Sequence, residues 1–145
     1  MRYLSMVMLL PLLGLAAWAQ SGGTPETPAA SRGSLQETEW TLVELDGAPV
    51  QAGSDRTAPT LQLSTADQRA SGFAGCNRMT GGYESTGEAL RFGAVVTTRM
   101  HCEATMELEQ RYLAAIEATR RYRLAGGMLE LIDGDGKLVA RFRTS

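Results

Sequence analysis

From Trp40 onward, apolar and polar residues alternate in short runs separated by Gly, Asp, Asn or Pro, the period-2 pattern of half-buried β-strands. Trp40-Thr41-Leu42-Val43-Glu44-Leu45 reads as a strand ended by Asp46-Gly47, and Leu61-Gln62-Leu63 alternates after Pro59. Further strands are expected over Arg69 to Phe73 and over Met79 to Glu84 beside Gly81-Gly82. Another covers Leu90 to Phe92 and leads into the β-branched run Val95 to Thr98. Three more end the chain: Arg121 to Leu124, Met128 to Ile132 after Gly126-Gly127, and Leu138 to Phe142 after Asp133-Gly134-Asp135-Gly136. Alternation aims Tyr122, Leu124, Leu129, Leu131, Leu138, Ala140 and Phe142 inward.

One stretch breaks this rhythm. Glu103 to Thr119 is rich in Ala, Glu, Leu and Met and contains no Gly or Pro. Met106, Leu113 and Ile116 fall at helical spacing, and Glu103 and Glu107 suit the positive end of a helix dipole. The expected fold is therefore mainly β with one helix, a small antiparallel barrel whose helix plugs an end or covers a face. A β-sandwich is the alternative.

The N-terminus follows a different logic. Arg2 precedes an apolar run from Met6 to Leu15, interrupted by Pro11 and Gly14, and Ala17-Trp18-Ala19 supplies small residues where a signal peptidase reads. This tripartite pattern predicts a signal peptide over 1–19, removed after Ala19. The run falls short of the roughly 20 apolar residues of a membrane span. No cysteine follows that could carry a lipid anchor, so the protein is expected in the periplasm or secreted, and not as an integral membrane protein. Residues 20–35 are read as a flexible linker, because 20–34 hold no large apolar side chain that would offset the entropy of ordering them. Residues 36–145 form the domain.

Loss of Arg2 takes the formal charge from −2 to −3, which gives no general electrostatic reason to bind nucleic acid or an anionic membrane. Arg121 with Arg123, and Arg141 with Arg143, share strand faces. They read as a solvated outer wall on which Glu130 offsets charge.

Candidate chemistry is sparse. Cys76 and Cys102 are the two cysteines. In an exported chain they are read as a structural disulfide, with a catalytic thiol as the competing assignment. His101 adjoins Cys102, but neighbours on an extended strand point to opposite faces, and the set lacks zinc-ligand spacing. Asp133-Gly-Asp-Gly is read as a hairpin turn and not as a calcium loop. Glu109 lies beside the apolar stripe of the helix, where a buried carboxylate needs a partner. Its expected role is a clamp to an arginine, with Arg78 and Arg99 as candidates, or to backbone N–H groups, and a ligand-binding or acid/base role is the alternative. Asn77, Arg78, Arg99 and Glu109 thus form a candidate binding or structural network. No catalytic residue, metal site or cofactor is assigned.

Trp40-Thr-Leu-Val-Glu-Leu-Asp-Gly, Gly72-Phe-Ala-Gly-Cys-Asn-Arg with Tyr83, Leu90-Arg-Phe-Gly, Thr98-Arg-Met-His-Cys102, Glu109-Gln-Arg-Tyr-Leu and Leu129-Glu-Leu-Ile-Asp follow one another in order. Together they resemble the META domain family, also called the heat-shock protein HslJ-like family, over residues 38–143. His101 stands where many members carry Ala, which argues against a shared role for the imidazole. The resemblance implies a lipocalin-like barrel with one helix in a bacterial envelope setting. It supplies no reaction, and links members to heat shock, antibiotic tolerance, secretion and virulence. The expected function is an exported, non-catalytic, stress-related binding or accessory module, monomeric, with an unidentified protein or small-molecule ligand in the envelope. Two alternatives stay open: a thiol-dependent enzyme using Cys76 or Cys102, and a secreted inhibitor of a hydrolase.

Overall fold

The computed structural model describes residues 33–51 and 58–145. The expected signal peptide and nearly all of the expected linker lie outside those residues. In chain order the elements are β1 (Glu39–Leu45), β2 (Ala48–Pro49), β3 (Thr60–Ser64), β4 (Arg69–Phe73), β5 (Arg78–Thr86), β6 (Ala89–Phe92), β7 (Val96–Thr97), α1 (Met106–Ala118), β8 (Thr119–Ala125), β9 (Met128–Asp133) and β10 (Leu138–Thr144).

Neighbouring strands run in the order β10-β9-β8-β6-β5-β4-β3-β1, and β10 pairs back onto β1, which closes an eight-stranded antiparallel barrel. Short β2 extends β1, and β7 pairs with β5. The closed barrel, and not the sandwich, is what the alternating strands build. It leaves none of the eight wall strands as an exposed edge.

Trp40, Leu42, Leu61, Leu63, Leu90, Leu129, Leu131 and Phe142 fill the interior from the wall. In β1 the register shifts between Leu42 and Glu44. This bulge explains why Leu42 and Leu45 both face inward although three residues apart. A second shift, between Leu138 and Ala140, buries Val139 and leaves Leu138 partly exposed. Leu138 therefore departs from the inward set, and Tyr122 and Leu124 pack against the core only in part.

Both barrel ends are stoppered. At one end α1 inserts Tyr112, Ala115 and Ile116. The Tyr112 hydroxyl donates to the Thr60 carbonyl at 3.0 Å, and its ring meets Phe142 edge-on with centroids 6.2 Å apart. At the other end Leu35 is 2% exposed and its carbonyl accepts from Trp40 Nε1 at 3.1 Å. Leu35, at the end of the expected linker, is thus part of the core.

The helix begins at Met106, later than Glu103, because the Cys102 carbonyl accepts N–H bonds from both Thr105 and Met106 in a tight turn. Its buried stripe runs Glu109, Tyr112, Ala115 and Ile116. The run from Val95 to Thr98 gives only the two-residue β7. A bulge at Gly93 to Val95 interrupts it and lies over Gly81, where an added Cβ would sit 2.9 Å from the Ala94 carbonyl oxygen.

Candidate functional site

The Gly-Cys-Asn-Arg segment that leads into β5 is heavily cross-linked, by a disulfide and by hydrogen bonds to α1 and to the 98–100 segment. Gly75 takes a φ of 117°, a backbone state that L side chains avoid, and this turns the next two N–H groups toward α1. Glu109, 4% exposed, receives them: Oε2 accepts from Cys76 N at 3.0 Å and Asn77 N at 2.6 Å, and Oε1 accepts from Asn77 Nδ2 at 2.8 Å. The buried Asn77 side chain also donates to the Met100 carbonyl at 3.1 Å. Its Oδ1 accepts from Thr98 Oγ1 at 2.9 Å and Met100 N at 2.6 Å. A buried carboxylate needs such donors to offset its lost hydration.

The sulfurs of Cys76 and Cys102 lie 2.02 Å apart, joined as a disulfide, with Cα atoms at 5.7 Å. This bond and the Asn77 contacts fasten the 98–105 segment to β5. Of the four residues of the expected network, the structure brings together Asn77 and Glu109. Arg78 takes part only through its backbone, its N–H donating to Thr98 Oγ1 at 3.1 Å, while its side chain and that of Arg99 are exposed and make no contact with Glu109. His101 is exposed beside Cys102. Among the described residues, no side-chain base is hydrogen-bonded to the joined sulfurs.

On the far wall, Arg123, Glu130, Arg141 and Glu44 form one cross-strand row of alternating charge. Arg123 Nε donates to Glu130 Oε2 at 2.7 Å, Arg141 Nε to Glu130 Oε1 at 3.1 Å, and Arg141 Nη1 to Glu44 Oε2 at 2.7 Å. Sequence reasoning put Glu130 on this face but did not foresee its burial, which comes from the two guanidinium groups lying over it. Asp133 closes the last hairpin: its Oδ1 accepts from the N–H groups of Asp135 and Lys137, both at 2.9 Å.

The interior holds side chains where a hollow barrel would hold a ligand. A broad depression lies outside, on the wall formed by β1, β3, β4 and β5 with β7 at its rim, and has a volume of about 730 Å³. Two cross-strand rows pave it. One is Glu39, Gln62, Ser71, Thr80 and Val96; the other includes Thr60, Phe73, Arg78 and Thr98. Val96 is 61% exposed. The sequence reading missed this groove. The alternation signal for Gln62, Ser71 and Thr80 says outward and no more.

Outward positions carry Gln62, Arg69, Glu84, Arg91, Arg121 and Arg123, all exposed, the reverse of a barrel that turns an apolar band to lipid. Among the described residues, no helix is long and apolar enough to cross a membrane. The architecture defines a small lipocalin-like barrel, filled with side chains and plugged by one helix. The META domain family model matches residues 33–145, and the chain belongs to that family. An NMR structure of a protein from Burkholderia xenovorans is similar at 30% identity and a TM-score of 0.61, covering 96% of this chain and 99% of that one. A second NMR structure shares the fold at 22% identity and a TM-score of 0.58, over 74% of this chain and 89% of that one. So does the crystal structure of a DUF4847 family protein from Bacteroides vulgatus, at 12% identity and a TM-score of 0.57, over 75% of this chain and 93% of that one. No curated protein matches the sequence significantly.

Proposed function

We propose that this META-domain protein is exported to the bacterial envelope and acts there as a monomeric, non-catalytic binding module, with the outer-wall groove as its contact surface. The observation that carries the reading is where the reactive groups are. Both sulfurs are joined, and both oxygens of Glu109 are engaged by N–H donors. The outer-wall depression instead presents polar side chains such as Gln62 and Ser71 to solvent. A nucleophile needs a base within reach, and this arrangement favours recognition over bond-making. Export is supported by the tripartite N-terminus and by a disulfide, which persists in oxidising compartments. A role under envelope stress is what the family resemblance adds.

The test is photo-crosslinking in intact cells from Gln62 or Ser71 in the groove, with Arg121 on the opposite wall as control. Groove positions should form discrete adducts with an envelope component and the control should not. Adduct-free groove positions, or a free thiol in protein isolated from the oxidising compartment, would overturn the reading.

A further inference from the structure

We infer that the outer-wall groove is a site for an uncharged oligosaccharide, an inference that rests on the groove being the binding face. The floor is built from strands whose backbone groups are committed to their ladders. An extended peptide therefore cannot join it by strand addition, which needs an open edge, and the rim strand β7 offers only Val96 and Thr97. Recognition falls to side chains, and these are mostly neutral groups that both donate and accept. Gln62 carries an amide and Ser71 a hydroxyl, both on the outer face. Neither makes a side-chain hydrogen bond among the described residues. The Thr80 hydroxyl accepts from Arg69 at 3.1 Å and keeps its own proton to donate.

The charges point the same way. Arg78 and Glu39 stand at opposite sides of the groove, on β5 and β1, three strand spacings or about 14 Å apart. Arg69, whose guanidinium reaches Thr80 at 3.1 Å, adds a second cation at the margin, so the net is a single positive charge, a weak field for a polyanion. Phe73, half-buried between Thr60 and Arg78 in its row, supplies a flat apolar plate. A pyranose ring offers the complement: one face of C–H groups to lie on an aromatic ring, and a rim of hydroxyls that each donate and accept. The volume of about 730 Å³ is within the range of small-molecule sites and suits a short oligomer.

The experiment titrates the 15N-labelled mature chain, beginning at Gln20, with N-acetylchitotetraose, cellotetraose and maltotetraose, and with a heparin-derived tetrasaccharide as charged control. At least one neutral tetrasaccharide should shift the amides of Gln62, Ser71, Thr80 and Val96, with an affinity unchanged between low and high salt. Gln62→Ala and Ser71→Ala alter exposed side chains, keep the fold, and should each weaken binding about tenfold. Silence with all three neutral sugars, shifts with the heparin fragment alone, or shifts centred outside the groove would each overturn the inference. If the sugars are silent while Gln62 still crosslinks to an envelope protein, this inference falls and the binding-module reading stands. Silence in both removes both.

Discussion

Glu109→Gln changes one heavy atom in a buried cluster and asks whether the carboxylate is a structural clamp. The native oxygens accept three hydrogen bonds, two from backbone N–H groups and one from the Asn77 amide. Hydrogen bonds to a charged acceptor contribute about 1.5–3 kcal/mol each, against about 0.5–1.5 kcal/mol for neutral ones. A glutamine that keeps its oxygen on the two backbone donors loses roughly 1 kcal/mol at each. Its NH2 then faces Asn77 Nδ2, donor against donor. Rotating the Asn77 amide gives no relief, because Oδ1 is held by Thr98 and by Met100 N. The sum is about 3 kcal/mol, which for a domain of this size lowers the melting temperature by about 10 °C. Thermal and urea denaturation followed by circular dichroism measure it, with an unchanged urea m-value showing that the unfolding unit is the same. Arg78→Ala and Arg99→Ala, at exposed side chains without contact to Glu109, should stay within about 0.5 kcal/mol of the parent. A melting temperature for Glu109→Gln within about 2 °C of the parent, or an equal loss in either arginine variant, would refute the clamp.

Other substitutions probe other parts of the frame. The double variant Cys76→Ser, Cys102→Ser opens a loop spanning a sequence separation of 26 and should lose about 3–4 kcal/mol in denaturant titration; native protein purified without reductant should show no free thiol. Burial pushes the Tyr112 phenol well above its ordinary value of 10.0. Unfolded chains therefore release a proton that the folded protein keeps, and stability should fall as pH rises beyond about 10. Tyr112→Phe should lose about 1 kcal/mol at neutral pH with its bond to Thr60, yet decline less in alkali, as urea titrations at several pH values will show. Gly72→Ala would bring a Cβ to 2.0 Å from the Thr60 carbonyl oxygen; yield of soluble protein and melting should reveal a loss of about 3 kcal/mol or more. Glu130→Gln should lose about 1–2 kcal/mol, as the guanidinium groups of Arg123 and Arg141 lose a buried counter-charge, measured by a double-mutant cycle with Arg141→Ala.

The strands were legible because alternation is a local property. Arg69 to Phe73 matches β4 residue for residue, and the runs around Leu61, Met79 and Leu90 each mark a strand. What alternation hides is the point where it slips. One extra residue in β1 and another in β10 turned Leu45 and Val139 inward, and nothing in the side chains there announces a bulge. The helix shows the same limit. Periodicity over Met106, Leu113 and Ile116 found the element but missed Tyr112, the side chain that plugs the barrel, because helical spacing alone leaves the stripe free to rotate by one position. Glu109 was visible as a misfit on an apolar face. Asn77 and the option of backbone N–H donors stood beside it in the same expectation, but which N–H groups would serve was hidden, since Cys76 and Asn77 lie more than thirty residues away and backbone groups carry no residue identity. The groove was invisible for a related reason: shape on an outer wall depends on strand order, and Glu39, Gln62, Ser71 and Thr80 become neighbours only after four strands pair.

The union of β1 with β10 sets a timetable for folding. Trp40 faces Thr144 across that seam, so the barrel stays open until the last strand has been delivered, whichever end of synthesis or transport is slow. A chain made N-terminus first therefore stays without its final stave until its last residues emerge. The Cys76–Cys102 loop and the Glu109 that steadies Cys76 all precede β10, so this bond is free to lock before the hoop closes.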